Sequence, residues 1–571
     1  MNRQTTKLEL TWVGKENRSR LEPRILLEEP EKSYHAPLRV TDHDIFDNRL
    51  IFGDNLLALK ALEQEFTGKI KCIYIDPPYN TGAALTHYED GVEHSIWLSM
   101  IRDRMELLYR LLCPDGIFFC SIDSNELFYL GILLDEIFGR DNRIETLVWK
   151  KSYGGGAKSR YVVNLHEYVL CYAKDLALAS NFFLPPDQKA IKYYKYKDRH
   201  FEQRGPYRLQ PLATTSMDER PNLRYPIIST DGTEIWPEKQ WQWSEDRVKE
   251  AVNNDELVIT NKNGKYTVSY KQYLRDPDGK ERMAKPYSII DGYYTQHGTY
   301  ESMDIFGLQN KFAFPKPEGL IWYLIACCTN SGDWVLDSFA GSGTTGAVAH
   351  KMGRRWIMVE LGEHCHTHII PRMKKVIDGT DKGGITEAVG WKGGGGFRYY
   401  RLGPSLLEKD QFGNWIINKK YNAAMLAEAI CKLEGFTYAP SEEVYWQHGH
   451  STENDFIYVT TQTLTREQFQ RLSDEVGEGR SLLVMCGAFR VKNLDDFPNL
   501  TIKKIPKAVM NRCEWGKDDY SLEIKNLQVR EMEPVEDQSE LPPNARGKTD
   551  HNPKQATLFD LAGGKGGKRN D

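Results

Sequence analysis

Residues 69–82 read KIKCIYIDPPYNTG, an apolar run that ends abruptly at two prolines. The run from Ile70 to Ile75 is partly β-branched, which is typical of a buried parallel strand. Pro77 and Pro78 cannot continue a hydrogen-bonded ladder, because each lacks an amide N–H and has a fixed φ. Ligands of open α/β sheets bind at the carboxyl ends of the strands. The sequence therefore predicts a strand over 70–75 and a ligand-binding loop over 76–79.

The predicted loop carries groups that suit the chemistry of an amino group. Asp76 offers a carboxylate acceptor and Pro77 a carbonyl acceptor, and together they could hold both hydrogens of an exocyclic amine. Tyr79 offers a flat ring on which a base taken out of its stack could lie. We interpret Asp76, Pro77, Pro78 and Tyr79 as candidate catalytic residues. The alternative is an ordinary strand followed by a turn with a capping aspartate.

Length and composition predict a multidomain protein of a reducing compartment. The chain has 571 residues, which is enough for about two to four domains. Its net charge of −5 excludes a uniformly basic nucleic-acid coat, so any DNA contact must come from local patches. The 10 cysteines are scattered without a C-x-x-C framework, as in proteins with reduced thiols. With no pattern of a signal peptide or membrane span, we expect a cytoplasmic, nucleoid-associated protein of a bacterium or archaeon.

Strands and helices alternate around the loop, which predicts a mostly parallel sheet. We expect strands at 48–52, 116–122, 145–149 and 167–172, and helices at 56–66, 97–112 and 125–138. Asp54, at the turn before the first of these helices, could be a plain helix cap. The charged positions of the second helix are predicted to form a solvated face: Arg102, Asp103, Arg104 and Glu106.

Two later segments are candidates for contact with DNA. Residues 152–160, SYGGGAKSR, form either a basic DNA-binding loop with Lys158 and Arg160 or a plain hairpin. Residues 189–208, KAIKYYKYKDRHFEQRGPYR, interleave basic groups that reach phosphates with aromatic rings that stack on bases. We predict that this insertion reads the DNA sequence, although its aromatic residues could instead form a small core. Its candidate DNA contacts are Lys192, Lys195, Lys197, Arg199, Arg204 and Arg208.

A second motif follows the insertion. After a predicted strand at 312–317 and helix at 318–328, residues 334–346 read WVLDSFAGSGTTG. Glycines in such a loop allow a tight turn and a close approach of a ligand. Asp337 precedes the loop, and Glu360 ends a further predicted strand, where an acid is placed to bond a ribose. His364, Cys365, His366 and His368 come next, but no fourth ligand is evident and we predict no metal site.

The two motifs resemble those of one family. DPPY at 76–79 resembles the catalytic motif of amino-group DNA methyltransferases, and FAGSGTTG at 339–346 resembles their S-adenosylmethionine loop. The order, with the catalytic motif first, resembles the permuted β class. The resemblance implies a Rossmann-like α/β core with a mostly parallel sheet, and S-adenosylmethionine without a metal. It also implies that these residues border the cofactor: Asp54, Asn310, Lys311, Phe314, Lys316, Pro317, Asp337, Phe339, Ala340, Gly341, Ser342, Gly343, Thr344, Thr345 and Glu360.

The layout of the whole chain resembles the modification subunits of type III restriction–modification systems. The resemblance implies adenine-N6 methylation of double-stranded DNA by base flipping, with cytosine N4 as the alternative target. It also implies a homodimer and a helicase–nuclease restriction partner. Two other interpretations stay open, namely a methyltransferase that acts alone or in another phage-defence system, and a non-catalytic DNA-recognition subunit.

We divide the chain by composition and motifs. We predict an N-terminal arm (1–48), the catalytic half of the core (49–175), a target-recognition insertion (176–300), the cofactor half (301–380) and a glycine-rich linker (381–399). A smaller α/β domain for partner docking or dimerisation follows at 400–528, and a disordered tail at 529–571. In the tail, Gln555, Leu558 and Phe559 form a Q-x-x-L-F pattern that resembles peptides docking on bacterial sliding clamps, although five residues also match by chance.

Overall fold

The computed structural model describes residues 9–80, 94–154, 160–186, 188–216 and 218–521. Lys158 and the pattern at 555–559 lie outside these residues. Among the described residues, no helix is both long and apolar enough to cross a bilayer.

The first part of the chain supplies strands on both sides of the catalytic motif. They are β1 (Leu26–Glu28), β2 (Tyr34–His35), β3 (Asn48–Phe52), β4 (Ile70–Ile75), β5 (Leu112–Ile122), β6 (Arg143–Lys150) and β7 (His166–Ala173). The helices between them are α1 (Asn55–Phe66), α2 (His94–Leu111) and α3 (Leu127–Phe138), with a short 3-10 turn at Arg140–Asn142. Each strand and helix predicted for this part is present, with ends that differ by a few residues.

The insertion forms short strands and helices. They are α4 (Gln188–Ile191), α5 (Phe201–Arg204), β8 (Tyr207–Pro211), β9 (Ala213–Thr214), β10 (Ile227–Ile228), β11 (Glu234–Ile235), β12 (Gln240–Trp241), α6 (Glu245–Asn253), β13 (Leu257–Lys262) and β14 (Lys265–Tyr273), with a 3-10 turn at Pro221–Leu223. β13, β14 and β8 make a three-stranded antiparallel sheet. A separate apolar cluster that includes Leu212, Tyr225 and Trp241 lies inside the insertion, so part of its aromatic content is core.

The chain then returns to the main sheet. The elements are β15 (Ile289–Ile290), α7 (Thr295–Phe306), α8 (Glu318–Ala326), β16 (Trp334–Asp337), α9 (Thr344–Lys351), β17 (Arg355–Glu360), a π-helical turn (Cys365–Ile369), α10 (Ile370–Ile377) and β18 (Gly396–Leu402). From edge to edge the order of strands in the main sheet is β1, β18, β3, β17, β16, β4, β5, β7, β6, β15. The short strand β2 also pairs with β18, next to β1. From β18 to β5 all neighbours are parallel, whereas β7 is antiparallel to β5 and β6.

Side chains of the central strand β4 face alternate sides of the sheet. Ile73 and Ile75 pack in the cluster formed with α1, α2 and α3, while Cys72 and Tyr74 pack in the cluster formed with α8, α9 and α10. β4 is therefore buried on both faces, as its continuous apolar run predicts. The mostly parallel sheet with helices on both faces confirms the predicted α/β class.

The C-terminal part has its own sheet. β19 (Leu407–Lys409) and β20 (Trp415–Ile417) form a hairpin, and α11 (Ala423–Glu434) follows. The sheet contains, in this order, β21 (Thr437–Tyr438), β22 (Gly449–His450), β23 (Asp455–Leu464), β24 (Ser481–Phe489) and β25 (Leu500–Lys504). α12 (Arg466–Val476) connects β23 and β24, and α11 and α12 pack in two separate apolar clusters.

The prediction of a strand at 312–317 was wrong. No strand is present there, because Pro315 and Pro317 lack amide donors and Phe314 has a left-handed φ of 55°. The segment is an irregular loop that leads into α8.

The predicted solvated face of α2 was wrong for two of its four residues. Arg102 and Arg104 are buried. Arg102 donates to the carbonyls of Lys15 and Asn17 and lies over the ring of Trp12. The N-terminal arm therefore covers this part of the helix, which the periodicity of α2 alone does not reveal.

The glycine run at 393–396 is packed, whereas a flexible linker was predicted. A Cβ added at Gly394 would come 2.6 Å from a carboxylate oxygen of Asp44, and one at Gly395 would come 2.6 Å from the Ile45 carbonyl oxygen. β18 begins at Gly396 and pairs with β3. The predicted boundary at 399/400 thus falls inside a strand of the main sheet.

Candidate active site

The DPPY loop begins directly after β4, at the carboxyl edge of the sheet. Trp97 of α2 donates from its indole Nε1 to the Pro78 carbonyl oxygen at 2.7 Å, which fixes the loop against the helix. Pro77 is buried, and the Tyr79 hydroxyl donates to Asp76 Oδ1 at 2.7 Å. The loop is therefore held in one conformation with the Asp76 carboxylate at its first position.

Lys316 lies against this carboxylate. Its Nζ is 3.3 Å from Asp76 Oδ1 and 2.7 Å from the Tyr79 hydroxyl. The same ammonium is 2.9 Å from Glu167 Oε2. Lys316 was predicted as a cofactor residue, and the structure brings its side chain to the catalytic loop.

Glu167 is a residue of the site that sequence reasoning missed. It is the second residue of β7, is 8% exposed, and also pairs with Lys151 Nζ at 3.0 Å. Because β7 runs antiparallel to β5, the start of β7 lies at the same edge as the end of β5. An acid at the start of an otherwise apolar strand was the available signal. We call Asp76, Tyr79, Glu167, Lys316 and Lys151 the catalytic cluster.

The two carboxyl groups of this cluster have different pKa values. Burial, with the nearby Glu167, raises the pKa of Asp76, although Lys316 and the Tyr79 hydroxyl oppose the shift. Burial also disfavours ionised Glu167, but Lys316 and Lys151 together hold its pKa down at about 2. Burial and Asp76 raise the pKa of Tyr79, which stays neutral. Asp76 is therefore the stronger base of the two carboxylates.

The glycine loop connects β16 to α9 and contains the predicted Phe339, Ala340, Gly341, Ser342, Gly343, Thr344 and Thr345. Gly341 and Gly343 have left-handed φ values of 53° and 76°. A Cβ at Gly343 would also come 3.1 Å from Ile369, so the turn favours glycine for both strain and space. β16 and β4 are adjacent parallel strands, which brings this loop beside the DPPY loop.

Two acids stand at the base of the glycine loop. Asp337 accepts from the amide of Phe339 at 2.9 Å and from the Thr345 hydroxyl at 2.5 Å. Glu360, at the end of β17, accepts from the amide of Gly341 at 2.8 Å. Burial raises the pKa of Asp337 to about 7, since these two donors are neutral and the carboxylates of Asp76 and Glu360 are close. Both predicted acids thus help to shape the loop.

The donor set of this loop fits a nucleoside-bearing sulfonium cofactor. Left-handed glycines leave backbone groups open to close approach, and Asp337 and Glu360 place carboxyl groups beside the loop. The buried Ser338 Oγ has no hydrogen-bond partner among the described residues, as expected for a group that awaits a ligand. These residues could hold the nucleoside of S-adenosylmethionine.

The segment that contains both loops matches a known sequence family. The model of the N6/N4 DNA methylase family matches residues 70–371, which include β4, the DPPY loop and the glycine loop. The match covers more than half of the chain. This chain belongs to the N6/N4 DNA methylase family.

Named relatives agree with the membership in the methylase family. The protein named as HindVI Mod subunit of a type III restriction–modification enzyme, from Haemophilus influenzae, is 32% identical over 422 residues, which are 64% of this chain and 55% of the relative. Type II methyltransferase M.KpnI from Klebsiella pneumoniae is 31% identical over 55% of this chain and 78% of its own length. The EcoPI Mod subunit from Escherichia phage P1 is 30% identical over 65% of this chain and 64% of its own length. The chain thus spans about half the length of the Haemophilus relative.

Among solved structures, the methylase is similar to the complex of M1.HpyAVI with SAM. The TM-score is 0.29 at 15% identity, over 57% of this chain and 98% of that chain.

A buried ion cluster packs against the glycine loop of the methylase. Lys351 Nζ lies 2.8 Å from Glu318 and 2.7 Å from Asp381. Arg372 bridges Glu318 Oε1 and the Thr344 hydroxyl, each at 2.8 Å. We call Glu318, Lys351, Arg372 and Asp381 the support cluster. It was not predicted, because its residues come from four separate segments.

Two further predicted cofactor residues have partners within the protein. Asp54 caps α1 through the amide of Leu57 at 3.1 Å and also contacts Arg104 at 3.3 Å and the Tyr520 amide at 3.0 Å. These contacts match the alternative that Asp54 is a helix cap. Asn310 is exposed, and its carbonyl lies 3.0 Å from His368 Nε2.

The predicted DNA contacts differ in accessibility. Arg160, Lys192, Lys195, Lys197 and Arg199 are exposed. Arg208 is half-buried and donates to Gln272 at 2.6 Å. Arg204 is buried, pairs with Glu256 at 2.9 Å and lies over the ring of Tyr273, so it stabilises the insertion itself. For Arg204 the basic pattern alone was misleading, because a guanidinium can also serve as a core ion-pair partner.

The histidines after β17 interact with protein groups. His364 Nε2 lies 3.0 Å from Glu360, and His366 Nε2 lies 2.8 Å from the Tyr399 hydroxyl. Within the described ranges, no group of three metal-ligating side chains is present.

Proposed function

We propose that this chain transfers a methyl group from S-adenosylmethionine to adenine N6 at specific sites in double-stranded DNA. The observation that carries the proposal is the pairing of β4 with β16, which sets the DPPY loop and the glycine loop side by side. Family membership supports the reaction class. Aspartate rather than serine before Pro-Pro-Tyr supports adenine over cytosine as the target, by resemblance.

The residues of the catalytic cluster would act on the amino group of a flipped base. Asp76 and the Pro77 carbonyl accept the two amine hydrogens, which directs the nitrogen lone pair away from them. Tyr79 offers its ring to the base. When bound, S-adenosylmethionine supplies an electrophilic methyl group on a sulfonium. Asp76, as the stronger base of the cluster, is placed to take up the proton that the product nitrogen loses.

Rate enhancement would come mainly from orientation. The Trp97 contact and the Tyr79 hydroxyl hold the DPPY loop, and the support cluster holds the glycine loop, before any substrate binds. A prearranged geometry of this kind lowers the entropy cost of bringing nitrogen and methyl together. The protein groups alone would therefore supply the positioning, with no proton relay beyond Asp76 needed.

We further propose that the chain is the modification subunit of a type III restriction–modification system or of a related phage-defence system. The names of the Haemophilus and phage P1 relatives support this system. The partners would be double-stranded DNA, a second copy of the chain and a helicase–nuclease subunit. A sliding clamp is a further candidate through residues 555–559, and loss of clamp pull-down in the Leu558→Ala/Phe559→Ala variant is the expected result.

Single-molecule sequencing of DNA tests the activity directly. The chain is expressed alone in a methylation-free host, with the Asp76→Ala variant as the matched control. One short motif that carries N6-methyladenine, absent in the control, is the expected outcome. N4-methylcytosine would replace the adenine assignment, and unmodified DNA would oppose catalysis by the chain alone.

A further inference from the structure

Lys316 is placed between two carboxylates that come from different strands. Asp76 follows β4 and Glu167 lies on β7, and both are within 3.3 Å of the Lys316 ammonium. The side chain of Lys316 is 11% exposed and that of Asp76 is 28% exposed. An ion pair with so little water contact is screened weakly, so the location of this one cation strongly affects Asp76.

The backbone of Lys316 contacts the glycine loop. Its carbonyl oxygen accepts from the Thr344 hydroxyl at 3.2 Å, and the same hydroxyl accepts from Arg372 of the support cluster. One residue thus touches the glycine loop with its main chain and the DPPY loop with its side chain. A displacement of the glycine loop would therefore move the ammonium that faces Asp76.

We propose that Lys316 is a positioning residue that joins the glycine loop to the catalytic carboxylate and keeps Asp76 ionised, while Glu167 limits this effect by sharing the ammonium. The inference rests on the proposed function and adds two residues to it. Glu167 has a second cation, Lys151, whereas the cation paired with Asp76 is Lys316. Within the described part of the chain, other titratable groups that interact with Asp76 are Tyr79 on its own loop, Tyr74 on β4, Cys120 on β5 and Asp337 on β16.

The proposal predicts opposite shifts in the pH dependence of methyl transfer. The active form of Asp76 is the carboxylate, so kcat falls as pH decreases through its pKa. We call this decrease in kcat at low pH the acid limb. Lys316→Met removes the cation and should raise the pH at the midpoint of the acid limb by about one pH unit or more. Glu167→Gln removes the anion that competes for Lys316, so Lys316 pairs with Asp76 alone. The pH at the midpoint of the acid limb should therefore decrease. Lys316→Arg should restore a limb near that of the wild type.

Lys71→Met is a matched control for the loss of a half-buried, paired lysine. Lys71 lies on β4 at the opposite edge of the sheet and pairs with Asp115. The Lys71→Met variant should leave the acid limb of the kcat profile unchanged. Shifts of Lys316→Met and Glu167→Gln in the same direction, or no shift in either, would overturn the proposal.

A second measurement does not depend on catalysis. Melting temperatures of the ligand-free protein are compared for wild type, Lys316→Met, Glu167→Gln and the double variant. Lys316→Met leaves two close carboxylates without their shared cation, so adding Glu167→Gln should recover part of the lost stability. Effects that simply add would overturn the pairing. If the wild type transfers no methyl group, the proposed function fails, and this cycle still tests the cluster.

Discussion

Lys316 and Glu318 stand two positions apart, yet they belong to ion clusters with opposite accessibility. The support cluster around Glu318 is closed, since the Lys351 and Glu318 side chains are 0% and 1% exposed. In the catalytic cluster around Lys316, the Asp76 side chain is 28% exposed. In both clusters two cations share one carboxylate: Lys351 and Arg372 share Glu318, and Lys316 and Lys151 share Glu167.

The difference in exposure separates a cluster that holds a loop in place from a cluster that can contact a substrate. In the support cluster two cations face two carboxylates, and all four groups are buried. In the catalytic cluster two cations, Lys316 and Lys151, also face two carboxylates, but the Asp76 side chain remains 28% exposed. Burial and the nearby Glu167 raise the pKa of Asp76. A fully buried network fixes a loop, whereas a partly exposed carboxylate remains available for hydrogen bonds from a substrate.

The largest expected effect is on the catalytic side. Asp76→Ala should lower kcat for methyl transfer by about 10²- to 10⁴-fold, because it removes the acceptor of the amine hydrogens. Cofactor affinity, measured by calorimetry, should stay within a few-fold. Asp115→Ala, which removes a carboxylate paired at the far edge of the sheet, serves as the control. Normal turnover in Asp76→Ala would refute the catalytic role of this residue.

A substitution in the support cluster should mainly lower the free energy of unfolding. Glu318→Ala leaves Lys351 and Arg372 as buried cations without their shared partner. We expect a loss of about 3–5 kcal/mol in the free energy of unfolding, measured by urea denaturation. Glu245→Ala breaks an exposed pair with Lys249 and should cost no more than about 1 kcal/mol. An equal small change in both variants would contradict the stabilising role of the buried support cluster.

Tyr79 tests which part of the catalytic cluster contacts the base. Tyr79→Ala should weaken kcat/KM by the equivalent of about 1–3 kcal/mol, since a stacking surface is lost. Tyr79→Phe keeps the ring and loses only the hydroxyl that touches Asp76, so a smaller decrease is expected. Methyl-transfer kinetics on a duplex with one target site measure both. An equal defect in Tyr79→Phe and Tyr79→Ala would assign the role to the hydroxyl.

Asp337 offers a third arrangement, a buried acid bonded to neutral donors. Because burial raises its pKa to about 7, the folded state binds its proton more tightly than the unfolded chain does. This contribution to stability is complete below the unfolded pKa and is lost as pH rises towards 7. The ligand-free wild type should therefore lose stability between about pH 4 and 7, by at most about 1.4 kcal/mol per pH unit. Asp337→Asn should flatten this part of the melting profile, and an unchanged slope would argue against the assignment.

The smallest effect on chemistry is expected in the insertion. Replacing Lys192, Lys195 and Lys197 by alanine should weaken DNA binding and lower the slope of the salt dependence by about 0.9 for each phosphate that is no longer neutralised. Binding is measured by fluorescence anisotropy at several salt concentrations, with Lys262→Ala/Lys265→Ala at the β13–β14 turn as the control. Equal decreases in affinity in both variants would indicate general charge attraction in place of a specific surface.

The sequence predicted the parts of the site that are local. β4 and β17 end at the predicted residues, because apolar runs, prolines and glycines act within a few residues. The catalytic cluster was only half predicted. Glu167 meets Asp76 through the order of the strands, and Lys316 meets it through a loop from a distant part of the chain, and no local pattern contains either contact. Arg102, Arg104 and Arg204 were misjudged for the same reason, since their partners lie elsewhere in the chain.

The adjacency of β4 and β16 has a consequence for synthesis of the protein. A ribosome releases β4 long before β16, because the insertion lies between them in the chain. Until β16 arrives, one hydrogen-bonding edge of β4 lacks its final neighbour, and such an edge is open to pairing with other chains. Every truncated product that stops before β16 also lacks the glycine loop. A nascent chain or a fragment that ends before β16 therefore contains the DPPY loop without the loop beside it, and only a polypeptide that extends past residue 346 contains both.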